Sequence, residues 1–498
     1  MSEPRRDPDS EAPRRRRRRS RRGSNPGLPE YFEYPGIFMV FLLLLGGLAA
    51  NGYSADGLAR ATAFVGCAAF GTWGLVCWAI RGRRYTSQPP GIWVAALLGF
   101  LALIAFVQTI PLPASFAMAN SPAWKQAVEA LKAVGGAVPD KLPLSTAPER
   151  TAQAFHQLVA SLAFFIGALA MASARRTATW LAGAVALLAV VEAFLGFSLF
   201  VLGGMSRASG GVLNPSHHSA CVLMGLPVSI ALVLLWKADQ KDDPFSPQSN
   251  RDFFMFLVAA LMLMGCAWLL GFSRASVIIG AFLLTGFVLH EMLLHYKTMH
   301  ERWGKVRFPG LEIGLVLVAG IVLLAATPIA GHMFQRFQST TQFTGGRTQM
   351  WKATVKAFWE SPIFGIGFGG TEFALNRLLD TMATRRAPIW SHNDFLQIGA
   401  ETGLVGILGA TVLLAGLATT LLQSVRAGAI PLGDWKRGMI ARGALVGAAS
   451  VLLHSTMEFP LRVPMLGFQC LALVALAVGR RGRGGSPHAV GEAAEDDD

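Results

Sequence analysis

The residues of this chain that are best suited to chemistry lie in one long polar segment between Gly345 and Gly406. It interrupts a chain of apolar runs and gathers cationic side chains beside glycine-rich backbone. These cations and one histidine are Arg347, Lys352, Lys356, Arg377, Arg385, Arg386 and His392. Guanidinium and ammonium groups bind phosphate oxygens. The segment therefore predicts a site for an anionic, lipid-linked substrate.

His392 is the best candidate base in this segment, because an imidazole accepts a proton near neutral pH. A lone histidine in a loop is more often structural, but the neighbouring cations and glycines favour a catalytic role here. The residues expected to contact substrate beside it are Asn393, Glu401, Glu458 and Arg462. The last three flank predicted span ends on one side of the membrane, so pairing among themselves is the alternative.

Arg274 is the sharpest isolated signal. Only Ser273 and Arg274 separate two apolar runs, which places the guanidinium at or just below a membrane interface. Ionisable groups at that depth are costly and are functional candidates by default. The alternative is an arginine that reaches lipid headgroups.

Residues 347–360 have apolar side chains at helical spacing, and the pattern predicts a helix that ends at Ser361-Pro362. Gly345-Gly346 before it would let backbone N–H groups approach a phosphate, with Arg347 on the first turn. Lys352 is a further candidate for substrate binding. The alternative is an amphipathic helix that lies on the membrane surface.

The chain has 498 residues, of which 52% are hydrophobic and 15% charged, which is too apolar for a soluble protein of this length. Apolar runs of bilayer-spanning length predict an all-α polytopic membrane protein. About twelve spans are predicted, at 36–53, 58–80, 91–111, 152–173, 178–202, 217–236, 252–272, 275–295, 311–331, 403–424, 438–457 and 463–479.

Basic residues follow every even-numbered span, which predicts that both termini are cytoplasmic. The net charge of +14 is then a matter of topology and of contact with anionic headgroups, not of nucleic acid binding. The predicted organisation is a disordered basic tail (1–35), a membrane domain (36–480) and a second tail (481–498). Outward loops at 112–151 and 332–402 are the long ones, and the second contains short helices.

Basic residues on the outward face oppose this trend, and Arg207 is therefore a further candidate for substrate binding. His217 follows Asn214-Pro215 at an outward span start and is another. Gly365, Gly367 and Gly370 match a dinucleotide fingerprint literally, but no strand precedes them, and we expect a flexible turn.

Metal and disulfide chemistry have weak support. His290, Glu291 and His295 have the wrong spacing for a zinc helix and are interpreted as interfacial. The five cysteines, in predicted spans, imply no disulfide framework. No metal and no cofactor is expected, and the sequence contains no Walker motif.

Several short motifs occur in one order and spacing. Phe272-Ser273-Arg274-Ala275-Ser276 precedes Gly346-Arg347 with Trp351, and Pro362 with Gly365-x-Gly367 follows; His392-Asn393 with Gln397 and Glu401-x-Gly403 completes the set. Together they resemble the bacterial O-antigen ligase and polymerase superfamily over about 205–470.

The resemblance implies about twelve helices with a large periplasmic loop, and transfer of glycan from undecaprenyl pyrophosphate to an acceptor hydroxyl. By motif position it gives the catalytic roles to Arg274, Arg347 and His392. The expected partners are the lipid-linked glycan, an acceptor glycan or lipid A-core, and anionic headgroups in the bacterial inner membrane. O-antigen ligase and glycan-chain polymerase, for O-antigen or exopolysaccharide, stay open as alternatives. A transporter of lipid-linked saccharide is the alternative from another class, although such sites lie at the bilayer midplane.

Overall fold

The described part of the chain is an all-α membrane protein with one short pair of strands. The computed structural model describes residues 30–53, 57–81, 89–240, 249–303, 331, 340–379, 389–428, 430, 432 and 435–479. The tail regions 1–29 and 480–498 lie outside these residues. Helical structure begins at Glu30 and so overlaps the end of the basic tail predicted for 1–35. The indole of Trp73 donates a hydrogen bond to the carbonyl of Phe32 (2.9 Å), which holds this segment against the bundle.

Fifteen α-helices lie within the described residues. They are α1 (Tyr34–Ala49), α2 (Gly57–Arg81), α3 (Pro89–Thr109), α4 (Ala114–Asn120), α5 (Pro122–Ala133), α6 (Pro148–Ala172), α7 (Arg175–Val201), α8 (Pro215–Gln240), α9 (Ser249–Leu270), α10 (Arg274–Trp303), α11 (Thr340–Glu360), α12 (Thr371–Leu378), α13 (Asp394–Arg426), α14 (Trp435–His454) and α15 (Pro464–Val478).

The predicted spans match this architecture. Eight described helices are long and apolar enough to cross a membrane, and α1, the apolar part of α14 and α15 are shorter apolar helices. Each predicted span except the ninth coincides with one of these eleven helices. The ninth, 311–331, lies outside the described residues apart from its last residue. The prediction of an all-α polytopic membrane protein is confirmed.

The centre of the bundle is α8, because 89% of its apolar window is buried, more than in any other candidate span that the structure describes. It packs against α7, α9 and α14. A second part of the core joins α6 and α15, where the rings of Phe164 and Phe468 stack at 4.9 Å. Burial on all sides lets α8 hold polar residues at its N-terminus against neighbouring helix ends.

The first long loop has its own small fold. Strands β1 (Pro111–Pro113) and β2 (Lys141–Pro143) pair antiparallel, with Leu112 opposite Leu142. Between them lie α4 and α5. Val128 and Leu142 are buried in a cluster with Ala117. This loop packs on the same end of the bundle as the polar segment around His392.

The predicted orientation can be tested with single cysteines in a variant that lacks the five native ones. Thr348 and Val134 are exposed on the end of the bundle expected to face outward, and Ala427 is exposed on the opposite end. Cysteines at Thr348 and Val134 should react with a membrane-impermeant maleimide in intact cells, and a cysteine at Ala427 should react only after the membrane is opened. Labelling of the cysteine at Ala427 in intact cells, with protection of the cysteine at Thr348, would show that the topology is the inverse of the predicted one.

Candidate functional site

One buried carboxylate, that of Glu458, joins two of the predicted site residues. One oxygen accepts a hydrogen bond from the guanidinium of Arg347, and the other accepts from Nδ1 of His392 at 2.9 Å. The Glu458 side chain is only 8% exposed. Glu458 lies in the short connection after α14, so its two hydrogen bonds link α11 to the loop before α13. The sequence predicted Glu458 as a substrate contact, but both of its oxygens are occupied by protein groups.

His392 is presented by a strained backbone. Its φ angle is 55°, in the left-handed region that costs a non-glycine residue roughly 1–3 kcal/mol. The conformation is fixed because Ser391 donates hydrogen bonds to the carbonyl of Asn393 (3.0 Å) and, through its amide, to the Gln397 side chain (3.1 Å). The imidazole is 32% exposed. A carboxylate can only accept, so Nδ1 donates, and in a neutral imidazole Nε2 is then the hydrogen-bond acceptor.

Arg274 lies within electrostatic range of Arg347. Burial lowers the pKa of Arg347; Glu458 opposes this effect, and the positive charge of Arg274 adds to it. Arg274 is the first residue of α10, and the Ser273 hydroxyl before it lies 3.5 Å from Nε2 of His454. The two guanidiniums that the resemblance paired by motif thus lie close enough to interact electrostatically. An anion between them would relieve their mutual repulsion.

Phe459 is a contact point that sequence reasoning missed. Its ring stacks on Trp390 at 5.4 Å and meets the rings of His392 and His217 edge-on at 5.0 and 4.8 Å. His454, fully buried four residues before Glu458, was missed as well. The available signal was the placement of His454, Glu458 and Arg462 at the end of an apolar run.

Glu401 and Arg462 have internal partners instead of open faces. Glu401 is fully buried, and one oxygen accepts from the amide of Gly369 (3.1 Å), the hydroxyl of Thr371 (2.9 Å) and the side chain of Gln397 (2.9 Å). Its other oxygen lies 2.9 Å from the guanidinium of Arg462. These contacts agree with the alternative, pairing with one another, and substrate contact at these two residues stays a prediction.

Two further predicted contacts stabilise backbone. The side chain of Asn393 accepts from the amide of Leu396 (3.0 Å) and caps α13. Arg207 donates two hydrogen bonds, of 3.0 and 2.7 Å, to the carbonyl of Gly271. A structural role is therefore favoured over the expected substrate contact at both positions.

Lys352 and His217 differ in access. Lys352 is exposed on α11, five residues after Arg347. His217 is 4% exposed and packs behind Phe459, and its Nε2 has no hydrogen-bond partner among the described residues. His217 thus lies beside the site without opening onto it.

The glycine-rich turn is held firmly, in contrast to the flexible turn that we expected. Gly365 and Gly367 have φ angles of 72° and 89°. The buried amide of Gln108 donates to the carbonyls of Phe364 and Glu401, both at 2.8 Å, and accepts from the amide of Phe368 at 3.2 Å. A side chain at Gly365 would collide with the backbone of Glu401. The turn therefore fixes the start of α13.

Two other expectations are corrected. Residue 340 is already helical, so Gly345-Gly346 lie inside α11 and not at its N-terminus, and the proposed phosphate site on a first helical turn is wrong. The residues interpreted as interfacial are buried in part: Glu291 pairs with Arg442, whose Nη2 lies 2.8 Å away, and His295 is 4% exposed. Within the described part of the chain, no group of three or more His, Cys, Asp or Glu residues has an arrangement suited to a metal ion.

The charge of Glu458 predicts a pH dependence. Burial alone would raise its pKa, but the hydrogen bond from His392 and the charge of Arg347 outweigh burial and lower the pKa from 4.5 to about 2. A carboxylate whose pKa is lower in the folded state stabilises that state fully at a pH above its unfolded pKa. This stabilisation is lost as the pH falls through the folded pKa. The melting temperature of the purified protein should therefore exceed that of Glu458→Gln by a constant amount above about pH 5, and the gap should shrink toward pH 2. A gap that widens on acidification would contradict this assignment.

Comparison with known proteins agrees with the motifs. The model of the Wzy_C family, described as O-antigen ligase, matches residues 259–411. No curated protein matches the chain. The matched segment contains Arg274, Arg347 and His392 and ends before Glu458. Residues 259–411 match the O-antigen ligase family model, and this match supports membership of the superfamily that the motifs indicated.

Proposed function

We propose that this protein is a glycosyltransferase of the inner membrane that moves a saccharide from undecaprenyl pyrophosphate to an acceptor hydroxyl at the periplasmic face. The observation that carries the proposal is the contact of one buried carboxylate, Glu458, with both Arg347 and His392. It supports the proposal because it holds the imidazole of His392 next to the guanidinium of Arg347, and transfer from a lipid pyrophosphate needs a base and a cationic group.

His392 acts as the general base. Glu458 accepts a hydrogen bond from Nδ1–H, so Nε2 is the nitrogen that takes the proton of the acceptor hydroxyl. The hydroxyl oxygen then forms a bond to the anomeric carbon of the donor sugar. The bond from that carbon to the pyrophosphate oxygen breaks, and its electron pair leaves with undecaprenyl pyrophosphate.

Arg274 and Arg347 neutralise the leaving group. The developing negative charge on the pyrophosphate falls between two guanidiniums that otherwise repel one another, and such preorganised charges stabilise a transition state strongly. The lipid pyrophosphate itself supplies the driving force, so the proposal needs no nucleotide. The acceptor is a glycan or lipid A-core, and anionic headgroups contact the basic ends of the bundle.

The position of these groups favours a transferase over a transporter. Arg274 begins α10, Glu458 follows α14, and His392 precedes α13. A transporter of lipid-linked saccharide would place its polar residues at the bilayer midplane, in broken helices. All three groups lie at helix ends, where a hydroxyl from the aqueous side meets a substrate whose lipid tail stays in the membrane.

Replacement of the proposed base tests the function. His392→Ala should lower transfer ~10²–10⁴-fold at normal abundance, because a general base contributes about that much. His156→Ala, at an exposed histidine of α6 outside the site, is the matched control. The measurement is the glycan profile of a deletion strain complemented with each variant. Loss of long glycan from lipid A-core with accumulation of lipid-linked chains would identify a ligase, and accumulation of single repeat units would identify a polymerase. A normal profile with well-expressed His392→Ala would refute the proposal.

Lysine substitutions test the role of the two arginines. Arg274→Lys and Arg347→Lys should both be severely impaired, because lysine keeps the charge and loses the planar fork that grips two phosphate oxygens. Transfer rates of purified variants with a polyprenyl pyrophosphate donor give the comparison. Activity of both lysine variants near wild type, with inactive alanine variants, would show that charge alone suffices.

A further inference from the structure

A second buried pair, Glu192 with His218, lies outside the proposed chemistry. Both side chains are fully buried, Glu192 in α7 and His218 near the start of α8, and Nδ1 of His218 lies 2.9 Å from one Glu192 oxygen. The other oxygen accepts the amide of Gly211 at 2.9 Å. Ionisable groups inside a membrane bundle are costly and call for a function.

The far side of His218 faces a helix end. Its Nε2 lies 3.3 Å from the carbonyl of Ala267, in the last turn of α9. The last carbonyls of a helix lack partners within the helix. Ala267, Trp268 and Leu270 are buried at this helix end, so their carbonyls need donors from the protein.

Each carbonyl at this helix end has a donor. The Ser219 hydroxyl lies 3.3 Å from the carbonyl of Trp268, and the amide of Ala208 donates to Leu270 at 3.0 Å. The amide of Phe272 donates to Leu269 at 3.0 Å. Arg207 then donates to Gly271, so every carbonyl of this end except that of Leu269 has a donor from the α7–α8 connection or the start of α8.

This cap fixes the turn that carries Arg274. Gly271 fits so tightly that a Cβ atom there would lie 2.0 Å from the Ser219 hydroxyl. Phe272 follows with a left-handed φ of 47°, and Ser273 is 5% exposed. The turn is therefore set by its surroundings and not by its own propensity, and Arg274 leaves it as the first residue of α10.

We propose that Glu192 and His218 are positioning residues that hold the capped end of α9 and so place Arg274 against the leaving pyrophosphate. Glu192 orients His218 at the start of α8 and accepts a hydrogen bond from Gly211 in the α7–α8 connection. It therefore holds both of the segments that cap α9. This inference rests on the proposed function, since Arg274 is its target. The role is geometric: the pair supplies hydrogen bonds, and no proton needs to move through it.

Two substitutions at Glu192 separate geometry from charge. In Glu192→Gln the amide oxygen can accept from Gly211 while the amide N–H donates to Nδ1 of His218, whose Nε2–H then donates to Ala267. Every hydrogen bond survives without the charge. Glu192→Met has a similar length and leaves Gly211 and one imidazole nitrogen without a partner.

The experiment measures transfer and, independently, the position of the turn. Each variant carries a cysteine at Ser273 in the full chain without native cysteines, and maleimide labelling is followed in membranes. We expect Glu192→Gln to keep slow labelling and most of its transfer. Glu192→Met should label several-fold faster and lose transfer by on the order of tenfold to a hundredfold, the scale of a misplaced catalytic group.

Three results would overturn the inference. The first is loss of transfer in Glu192→Gln while the cysteine at Ser273 is still protected. The second is wild-type behaviour of Glu192→Met in both assays. The third is failure of Glu192→Gln to accumulate. Labelling does not require transfer. If the proposed function fails, the labelling contrast between Gln and Met variants persists, whereas failure of the positioning role removes that contrast.

Discussion

The buried carboxylate of Glu458 is the interaction on which the proposed site depends. An ionised carboxylate removed from water is stable only when charges and hydrogen bonds compensate it, and removal of one partner from such a group is strongly destabilising. Arg347 and His392 supply that compensation from two segments that are far apart in the chain. Because this one carboxylate requires partners, it holds a guanidinium and an imidazole together at the same end of the bundle.

The surrounding polar groups give this cluster a rigid frame. Glu401 and Asp394 hold Arg462, and the glycine-rich turn seats the start of α13 against Gln108 of α3. The frame joins the first long loop, whose role the sequence did not reveal, to the loop that presents His392. In an apolar bundle each of these polar groups must be satisfied internally, so the network specifies one arrangement of the helix ends.

The elements were predictable from sequence because their signals are local. A run of apolar residues of membrane length gives a helix whatever its neighbours are, and the spans matched helices wherever the structure describes them. The roles of Glu458 and Glu401 were not predictable in this way. Glu458 meets His392 across 66 positions and Arg347 across 111, and no local pattern distinguishes a carboxylate that supports a base from one that meets substrate.

The glycine motif shows the same limit. Its spacing indicated a turn, but the hydrogen bonds that make the turn rigid come from Gln108, more than 250 positions earlier in the chain. Likewise, the helical periodicity after Arg347 was read correctly, whereas the start of α11 was placed too late because Gly345-Gly346 suggested a break. Glycines inside a helix are tolerated at a cost of about 1 kcal/mol each, which tertiary packing can offset.

A double-mutant cycle shows whether Glu458 works through His392. The quantity to measure is the transfer rate of wild type, Glu458→Gln, His392→Ala and the double variant, with purified protein and a polyprenyl pyrophosphate donor. Coupled residues give non-additive effects in such a cycle. We expect Glu458→Gln to lower the rate strongly when His392 is present and much less once His392 is absent. Equal losses in both backgrounds would contradict it, because Glu458 would then act independently of the imidazole.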